Sequence, residues 1–486
     1  MLAKIKKLEK IARKLEIKSD KRAEWNKAVL QNIDEFLEVY NPKVTFGASV
    51  EVAKGITTVT IPKEGRPLEE LLPLIDKYVN KTSLNPASGG SFGYIPGGGV
   101  YPTALADYMV AATNKFTGTF YACPGGVYME NHLLKWMCEL VGYPKEALGN
   151  LSSGGSIANL SAITTARDVK GIKGKDIERC VIYLTHQVHH CVQKAIRIAG
   201  MQEAIIRYIP VDREFRMEVS ALEQQLQVDK EEGLFPFLVV ASAGTTNTGT
   251  IDPLDQIAPI AKAYNLWFHV DAAYGGFFML SSKFKSLFKG IEASDSLAID
   301  PHKGLFISYG LGALLIKDVQ ALYKTHHYVA DYMQDAYQLE GDVSPADLSP
   351  ELTRHFRGMR MWLSLQLFGT EPFRAALEEK IWLCRYFYEK VQKIGFEVGP
   401  YPDLSICIFR YISKSGDANA INDWLVEAVK KDGRVFFSTT TLDGIYWIRF
   451  AVLSFRTHLE QVDLAISIIK DILNSTSFLE LNNVEK

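Results

Sequence analysis

The sequence predicts an α/β protein with a mainly parallel sheet, preceded by a helical segment and followed by a smaller α+β domain. From about residue 100 to 317, short apolar runs alternate with helical segments, which is typical of buried parallel strands covered by helices on both faces. Ligands of such sheets bind beyond the carboxyl ends of the strands, so polar residues that directly follow a strand are candidate site residues. The runs that we predict to be strands are Cys180–Leu184, Phe237–Ala241, Leu266–Val270, Ser296–Ile299 and Ala313–Ile316.

The chain divides into three regions of different pattern. Helical periodicity up to about residue 80, followed by a glycine-rich stretch, predicts an N-terminal helical and dimerisation segment at 1–100. The alternating region predicts a large domain at 101–353, and the remainder predicts a small α+β domain at 354–486. Residues 325–352 are polar, aromatic and proline-containing, which favours a mobile functional loop. The strand-like runs of the small domain are Ser405–Tyr411 and Tyr446–Val452.

Composition excludes several classes of protein. Hydrophobic residues make up 47% and charged residues 23% of the 486 residues, and the formal net charge is −2. These values give no reason to expect nucleic acid or an anionic membrane as a partner. The most apolar run, 266–280, is too short to span a membrane and contains His269 and Asp271. The six scattered cysteines form no Cys-x-x-Cys pair, so we expect reduced thiols and a cytoplasmic protein.

The N-terminus has the pattern of a basic amphipathic helix. Its apolar residues recur at helical spacing with lysines between them, and it lacks the apolar core of a secretory signal. Such a helix can contact a membrane surface. We favour the more ordinary interpretation, in which it packs on its own protein or on a second subunit. The apolar residues are Leu2, Ile5, Leu8, Ile11 and Leu15.

Two predicted strand ends carry the most informative side chains. The run LWFHVDAAYGG ends a strand in Asp271, and SLAIDPHKGLF brings Asp300, His302 and Lys303 to the same edge of the sheet. Taken alone, Asp271 is equally consistent with a helix cap, and a lone lysine is usually solvated. Together they match pyridoxal 5'-phosphate (PLP), which needs an acid at its pyridine nitrogen and a lysine that binds it covalently.

A third segment offers a place for the phosphate. LSSGGSIANLSAITTAR, residues 151–167, reads as a glycine-serine turn that opens a helix, where backbone N–H groups and the Ser156 hydroxyl form an anion cradle. It is neither a Walker A loop nor a dinucleotide fingerprint. A plain turn with a cap explains the same residues.

Two further loops follow predicted strands. THQVHHCVQKA contains His186, His189 and His190, but no third set of ligands for zinc is evident, so we predict no metal and an imidazole stacked on the cofactor ring. SAGTTNTGTIDPL offers Thr246 to a polar ring substituent, although an ordinary loop is also consistent with it.

These elements, in this order, resemble the PLP-dependent group II amino-acid decarboxylases from about Phe92 to Thr457. The resemblance is strongest at HVDAAYGG and DPHK. It implies the aspartate-aminotransferase-type fold, PLP fold type I, with a seven-stranded sheet in the large domain. The residues that it places around the cofactor are Gly155, Ser156, His189, Thr246, Asp271, Ala273, Asp300, His302 and Lys303.

The resemblance also implies roles for these residues. Lys303 would bind the cofactor covalently, Asp271 would pair with the pyridine nitrogen, and His189 and Ala273 would pack on opposite faces of the ring. Thr246 would lie near the phenolic oxygen. Gly155, Ser156 and Asp300 would lie near the phosphate.

Within the family, the chain looks most like the aromatic-L-amino-acid branch. The segment SFGYIPGGGVYPTALADYM resembles one that lines the substrate pocket from the partner subunit, which implies a homodimer with the active site at the interface. No lysine or arginine occurs between Lys81 and Lys115, so this segment offers no cation for an acidic substrate. A cation from the mobile loop or the C-terminal domain would weaken this argument. The predicted substrate-binding residues are Phe92, Tyr94, Ile95, Pro96 and Tyr101.

The predicted mobile loop places Tyr332 where the family carries its catalytic tyrosine, which protonates the substrate carbon directly or through His189. Phenylalanine there favours an aldehyde product. Arg449 lies in a C-terminal signature and looks mainly structural. The chain departs from its relatives at three places, which puts the exact substrate in doubt: Gly97, Gly304 and the pair His190-Cys191.

We therefore predict a PLP-dependent decarboxylase of an aromatic L-amino acid. Two other PLP reactions remain open, namely decarboxylation of an acidic amino acid and formation of an aromatic aldehyde. A catalytically silent PLP-binding scaffold is the alternative from a different class of protein.

Overall fold

The computed structural model describes residues 1–39, 49–328, 341–413 and 417–481. The α-helices in these ranges are α1 (Leu2–Ala12), α2 (Ser19–Val39), α3 (Val50–Lys54), α4 (Leu68–Tyr78), α5 (Pro102–Thr113), α6 (Pro124–Val141), α7 (Gly155–Val169), α8 (Cys191–Ile198), α9 (Val219–Glu231), α10 (Leu254–Ala263), α11 (Pro301–Gly304), α12 (Val319–His326), α13 (Gly358–Phe368), α14 (Glu371–Lys393), α15 (Ala418–Asp432), α16 (Leu459–Leu473) and α17 (Thr476–Leu481).

The strands form two sheets. They are β1 (Ser91–Phe92), β2 (Leu148–Ser152), β3 (Cys180–Leu184), β4 (Ile205–Tyr208), β5 (Phe235–Ser242), β6 (Trp267–Asp271), β7 (Ser296–Ile299), β8 (Gly312–Ile316), β9 (Glu397–Val398), β10 (Ile406–Arg410), β11 (Phe436–Leu442) and β12 (Ile445–Ala451).

The larger sheet has seven strands in the order β2-β8-β7-β6-β5-β3-β4. Strands β3 to β7 pair in parallel, whereas β8 runs antiparallel to both of its neighbours, β2 and β7. Every residue of β2, β3, β6, β7 and β8 is buried, as expected for strands with helices on both faces. The prediction of a mainly parallel seven-stranded sheet is confirmed.

The smaller sheet has five strands in the order β1-β11-β12-β10-β9. Its first strand comes from the N-terminal segment, because β1 pairs in parallel with β11. Helix α13, in turn, packs on α5 and α6 of the large domain. Segments on either side of the predicted boundaries at residues 100 and 354 therefore pack on one another, since contacts between distant segments decide which sheet or layer an element joins.

The N-terminal helices leave much apolar surface uncovered. No residue of α1 is buried, and its apolar residues remain exposed in the single chain. Packing of this helix on its own chain, one of the two interpretations that we favoured, is therefore not observed. Across the described ranges, no helix combines the length and the apolar character that crossing a bilayer requires.

Part of the predicted mobile loop is anchored. The backbone N–H of Phe120 donates to Ser344 Oγ at 2.9 Å, and that of Ala346 donates to the carbonyl oxygen of Gly118 at 2.9 Å. Residues 329–340, which include Tyr332, lie outside the described residues.

Candidate active site

All nine predicted cofactor residues line one cavity of about 440 Å³ at the carboxyl edge of the larger sheet. Asp271 is the last residue of β6, and Asp300 directly follows β7. Helix α7 begins at Gly155, after the two-residue turn that follows β2. Because these strands are adjacent or share an edge, residues that are far apart in the chain converge there. The structure thus brings together the residues that the sequence singled out.

Lys303 lies on the short helix α11 with its ammonium group directed at Asp300. The distance from Lys303 Nζ to Asp300 Oδ2 is 3.2 Å, and the Asp300 side chain is only 1% exposed. Burial lowers the pKa of Lys303, but the carboxylates of Asp300 and Asp271 more than offset this effect, so the pKa is raised overall. The contact indicates that Asp300 balances the charge of the lysine.

The carboxylate of Asp271 is buried and accepts two N–H groups. The backbone N–H of Ala273 donates to Oδ1 at 3.1 Å, and Asn159 Nδ2 donates to Oδ2 at 3.3 Å. An ionised carboxylate only accepts hydrogen bonds, so both donors suit that form. Asp271 can therefore face a cationic N–H group in the cavity.

His189 is fixed in one tautomer by its neighbour. Its Nδ1 accepts the backbone N–H of Cys191 at 3.2 Å, and burial lowers the pKa of the imidazole. The neutral ring must then carry its proton on Nε2. The ring of His190 lies 4.1 Å away, centroid to centroid, on an exposed side chain.

Glycines open the space at the start of α7. The φ of Gly154 is +155°, and a Cβ placed on Gly155 would lie 3.1 Å from both Ala273 Cβ and Asp300 Oδ2. Helix α7 is 15 residues long, and the N–H groups of its first turn point toward the cavity end of the helix. This is the environment that a phosphate group requires.

The Thr246 loop is held by the smaller domain. Arg449 Nη2 donates to the carbonyl oxygen of Thr246, Nε donates to that of Asn247 at 3.1 Å, and Nη1 donates to Ser438 Oγ at 2.6 Å. Burial lowers the pKa of Arg449 to about 10. These contacts agree with the expectation that Arg449 is mainly structural.

The five predicted substrate-binding residues are not part of this cavity in the single chain. Phe92 is completely buried in the small domain, where its ring stacks on Phe450 at 4.6 Å, so it does not reach this cavity in the single chain. Tyr101 lines a different, apolar groove beside Trp25. Tyr94 is 63% exposed, with a backbone φ of +56°. Ile95 is partly buried against the large core, and Pro96 is buried beside it.

The glycine-rich segment reaches the lysine helix of its own chain. A Cβ on Gly97 would lie 2.6 Å from the carbonyl oxygen of His302 and 2.9 Å from that of Lys303. The resemblance led us to expect this segment from the partner subunit. At Gly97 the contact is made within one chain, because the segment runs between the small sheet and α11.

Sequence reasoning missed several residues of the cavity, above all Asn159. It lies one turn after Gly155 on α7 and is fully buried, and its Nδ2 also donates to the carbonyl oxygen of Gly155 at 2.8 Å. The available sequence signal was a polar residue four positions after Gly155, on the same face of the helix. In the described part of the chain, no group of three or more His, Cys, Asp or Glu residues could hold a metal ion.

The residues at this edge fit PLP. An ionised acid and a lysine face one cavity, a glycine-lined helix N-terminus supplies anion-binding N–H groups, and a neutral imidazole stands at the wall. A family model described as the pyridoxal-dependent decarboxylase conserved domain matches residues 54–412.

Known proteins agree with this assignment. The chain is 33% identical over 436 residues to an aromatic-L-amino-acid decarboxylase of Bacillus atrophaeus, which covers 88% of this chain and 90% of that protein. It is 32% identical over 385 residues to an acidic amino acid decarboxylase of Xenopus tropicalis, covering 77% and 75%. Its fold matches that of Oryza sativa TDC, solved with PLP and tryptamine, with a TM-score of 0.88 at 24% identity, covering 96% and 99% of the two chains. The chain therefore belongs to the group II family of PLP-dependent amino-acid decarboxylases.

Proposed function

We propose that this enzyme decarboxylates an aromatic L-amino acid to the corresponding amine. The observation that carries the substrate class is the absence of lysine and arginine between Lys81 and Lys115, in the segment that packs against the lysine helix. The buried side-chain carboxylate of an acidic substrate would need a cationic partner there. The 33% identity to an aromatic-L-amino-acid decarboxylase supports the same choice.

Three arginines that follow residue 353 lie near this segment. Arg360 Nε pairs with Asp107 Oδ1 at 2.5 Å, and Arg449 and Arg456 are also engaged in hydrogen bonds. Arg449 donates to backbone carbonyls and to Ser438, as described above. Arg456 Nη1 donates to the carbonyl oxygen of Gly98 at 2.7 Å, and its guanidinium group lies 4.3 Å from the centre of the Phe455 ring. Because these contacts engage all three guanidinium groups, the three cations do not favour an acidic substrate.

In this proposal seven residues of the cavity have a defined task. Lys303 would hold the cofactor through its amine. Asp271 holds a proton at the pyridine nitrogen, while His189 and Ala273 enclose the ring. When bound, PLP supplies an electron sink for the pair left on the α-carbon as carbon dioxide departs. Thr246 would lie near the phenolic oxygen of the cofactor, and Gly155 and Ser156 would hold its phosphate.

A proton must then return to the α-carbon of the product. We assign this step to Tyr332, acting directly or through the Nε2 proton of His189, as general acid catalysis. Tyr332 lies outside the described residues, so the assignment depends on its place in the sequence. Closure of the predicted loop would exclude water from the site.

We further propose that the active unit is a homodimer. Helices α2, α4 and α5 border an apolar groove of about 680 Å³, lined by Trp25, Leu30 and Leu105 among others, and the apolar side of α1 is uncovered. Exposed apolar surface of this extent is typical of a subunit interface. A second copy of the chain supplies surface of the same kind.

The product assay tests the proposed substrate. The purified protein with PLP is given a mixture of the common amino acids and L-DOPA, and mass spectrometry identifies any amine that has lost carbon dioxide. Tryptamine, tyramine, phenethylamine or dopamine is the expected result. Products from glutamate or aspartate alone would refute the aromatic assignment, and aldehydes in place of amines would refute the role of Tyr332.

A further inference from the structure

The β6 strand presents a row of polar side chains on one buried face. Trp267, His269 and Asp271 alternate along the strand and therefore point to the same side, toward α7. His269 is completely buried, as are Ser296 on the neighbouring β7 and Asn159 on α7. Buried polar groups are costly unless they are hydrogen-bonded, so this arrangement requires an explanation.

These five residues form one continuous buried hydrogen-bond chain. Trp267 Nε1 lies 2.8 Å from Ser296 Oγ, which lies 2.8 Å from His269 Nδ1. His269 Nε2 lies 2.7 Å from Asn159 Oδ1, and Asn159 Nδ2 lies 3.3 Å from Asp271 Oδ2. The chain ends at the carboxylate that faces the cofactor cavity.

Donor and acceptor chemistry fixes the direction of every bond. The neighbours of Asn159 Nδ2 are acceptors: the carbonyl oxygen of Gly155, the Cys191 sulfur at 3.5 Å and Asp271 Oδ2. The amide oxygen must then face His269, whose Nε2 consequently carries a proton. Burial lowers the pKa of His269 to about 4, so the ring is neutral and its Nδ1 accepts the Ser296 hydroxyl proton.

The hydroxyl oxygen of Ser296 in turn accepts from the indole N–H of Trp267, which can only donate. Every proton in the chain is thus directed toward Asp271. Hydrogen bonds aligned in this way polarise one another in a low-dielectric interior. The residues at the far end of this hydrogen-bond chain therefore influence the charge distribution on the Asp271 carboxylate.

We propose that Asn159 and His269 are positioning residues that orient the Asp271 carboxylate toward the pyridine nitrogen of PLP and hold it in its acceptor form. The inference rests on the proposed assignment of Asp271 as the partner of that nitrogen. Without this hydrogen-bond chain, the Asp271 carboxylate keeps the Ala273 N–H donor but is free to rotate away from the pyridine ring.

The test uses the holoenzyme reconstituted with PLP that is labelled with ¹⁵N in the ring. The ¹⁵N chemical shift reports whether the pyridine nitrogen is protonated. We expect His269→Leu and Asn159→Ala to move the signal toward the unprotonated position and to lower kcat by about tenfold or more, since a hydrogen bond to a charged group contributes roughly this factor. KM should change by less than about twofold, because in this proposal both residues act through the Asp271 carboxylate and not on the substrate itself.

Two further variants separate positioning from stability. His269→Gln retains an N–H donor toward Asn159 and should keep a signal close to that of the wild type. Val270→Ala removes buried volume from the opposite face of the same strand, so it should lower the melting temperature without moving the signal. If His269→Leu does not fold, Asn159→Ala, which removes fewer atoms, decides the question.

The proposal would be overturned if His269→Leu and Asn159→Ala lowered only the melting temperature and left both the ¹⁵N signal and kcat unchanged. The NMR readout does not depend on which amino acid is decarboxylated. Failure to detect aromatic amines would therefore count against the proposed substrate and leave this inference intact.

Discussion

Lys303 lies at the carboxyl edge of the larger sheet, with Asp300 Oδ2 3.2 Å from its amine. Because it is the residue that can bind PLP covalently in this cavity, we predict that Lys303→Ala abolishes carbon dioxide release and the visible absorption of the bound cofactor. Lys285→Ala, on an exposed lysine, serves as the matched control and should retain both. Persistent decarboxylation by Lys303→Ala would refute the assignment.

We predict that the hydroxyl group of Tyr332 decides whether the product is an amine or an aldehyde. Tyr332→Phe removes the proton donor that we assign to the α-carbon, so dioxygen should instead oxidise the substrate carbon. The expected products are the aldehyde, ammonia, hydrogen peroxide and carbon dioxide, measured by mass spectrometry and a peroxide assay. An amine as the main product of Tyr332→Phe would show that another group delivers the proton.

At the scale of elements, the short helix α11 is confined from two sides. Gly97 borders the backbone of His302 and Lys303, while a Cβ on Gly304 would lie 2.7 Å from Phe277 Cβ. The Phe277 ring, on the other side of Gly304, stacks on the Trp136 ring with 6.4 Å between the centroids. The two glycine departures are thus explained by close packing against α11.

This packing leads to a stability prediction. Gly304→Ala must displace the Phe277 side chain or shift α11, so it should destabilise the protein by about 1–3 kcal/mol and reduce PLP occupancy by shifting Lys303. Gly174→Ala is the control, since nothing lies within 4 Å of a Cβ there. Denaturant unfolding and cofactor absorbance measure the two effects. Equal stability of the two variants would contradict the close packing.

At the scale of the whole molecule, the N-terminal groove predicts the assembly. The wild type should have a mass in solution of twice 54.4 kDa by light scattering. Leu30→Glu introduces a charge into the groove, where Leu30 is 48% exposed in the single chain, and should yield an inactive monomer. Leu459→Glu changes a similarly exposed leucine of α16 and should remain dimeric. A wild-type monomer with full activity would refute the interface site.

Buried histidines predict a loss of stability in acid. Burial lowers the pKa of His269 from 6.5 to about 4, so below about pH 6.5 the unfolded chain binds a proton that the native protein does not. Stability then falls as the pH falls, by about 2 kcal/mol at pH 5 for this group. Asp252 acts in the opposite direction, because burial raises its pKa to about 6.

The difference between variants isolates the histidine contribution. His269→Gln cannot be protonated in this range, so its stability should decline less than that of the wild type between pH 7 and pH 5, as measured by denaturant unfolding. Val270→Ala should follow the wild-type slope. Identical slopes for wild type and His269→Gln would mean that His269 titrates alike in the native and unfolded states.

The sequence by itself determined the class of fold and nine of the residues that line the candidate cavity. Apolar runs with fully buried residues identified β3 and β7 to the residue, because a strand covered on both faces is mostly apolar. The ends of such strands share one edge, so Asp271 and Lys303 could be placed together without coordinates. Local pattern and the rule for parallel sheets sufficed.

Only the tertiary structure decided what depends on contacts between distant segments. It placed Phe92 in the small sheet and showed that β8 runs antiparallel to its neighbours. It also showed that Asn159, His269 and Ser296 form a hydrogen-bond chain that leads to Asp271. A buried aromatic residue and a pocket aromatic residue look alike in sequence, and hydrogen-bond partners on different elements share no local signal. Strand register and helix packing set these contacts, because they depend on the summed burial of the whole core.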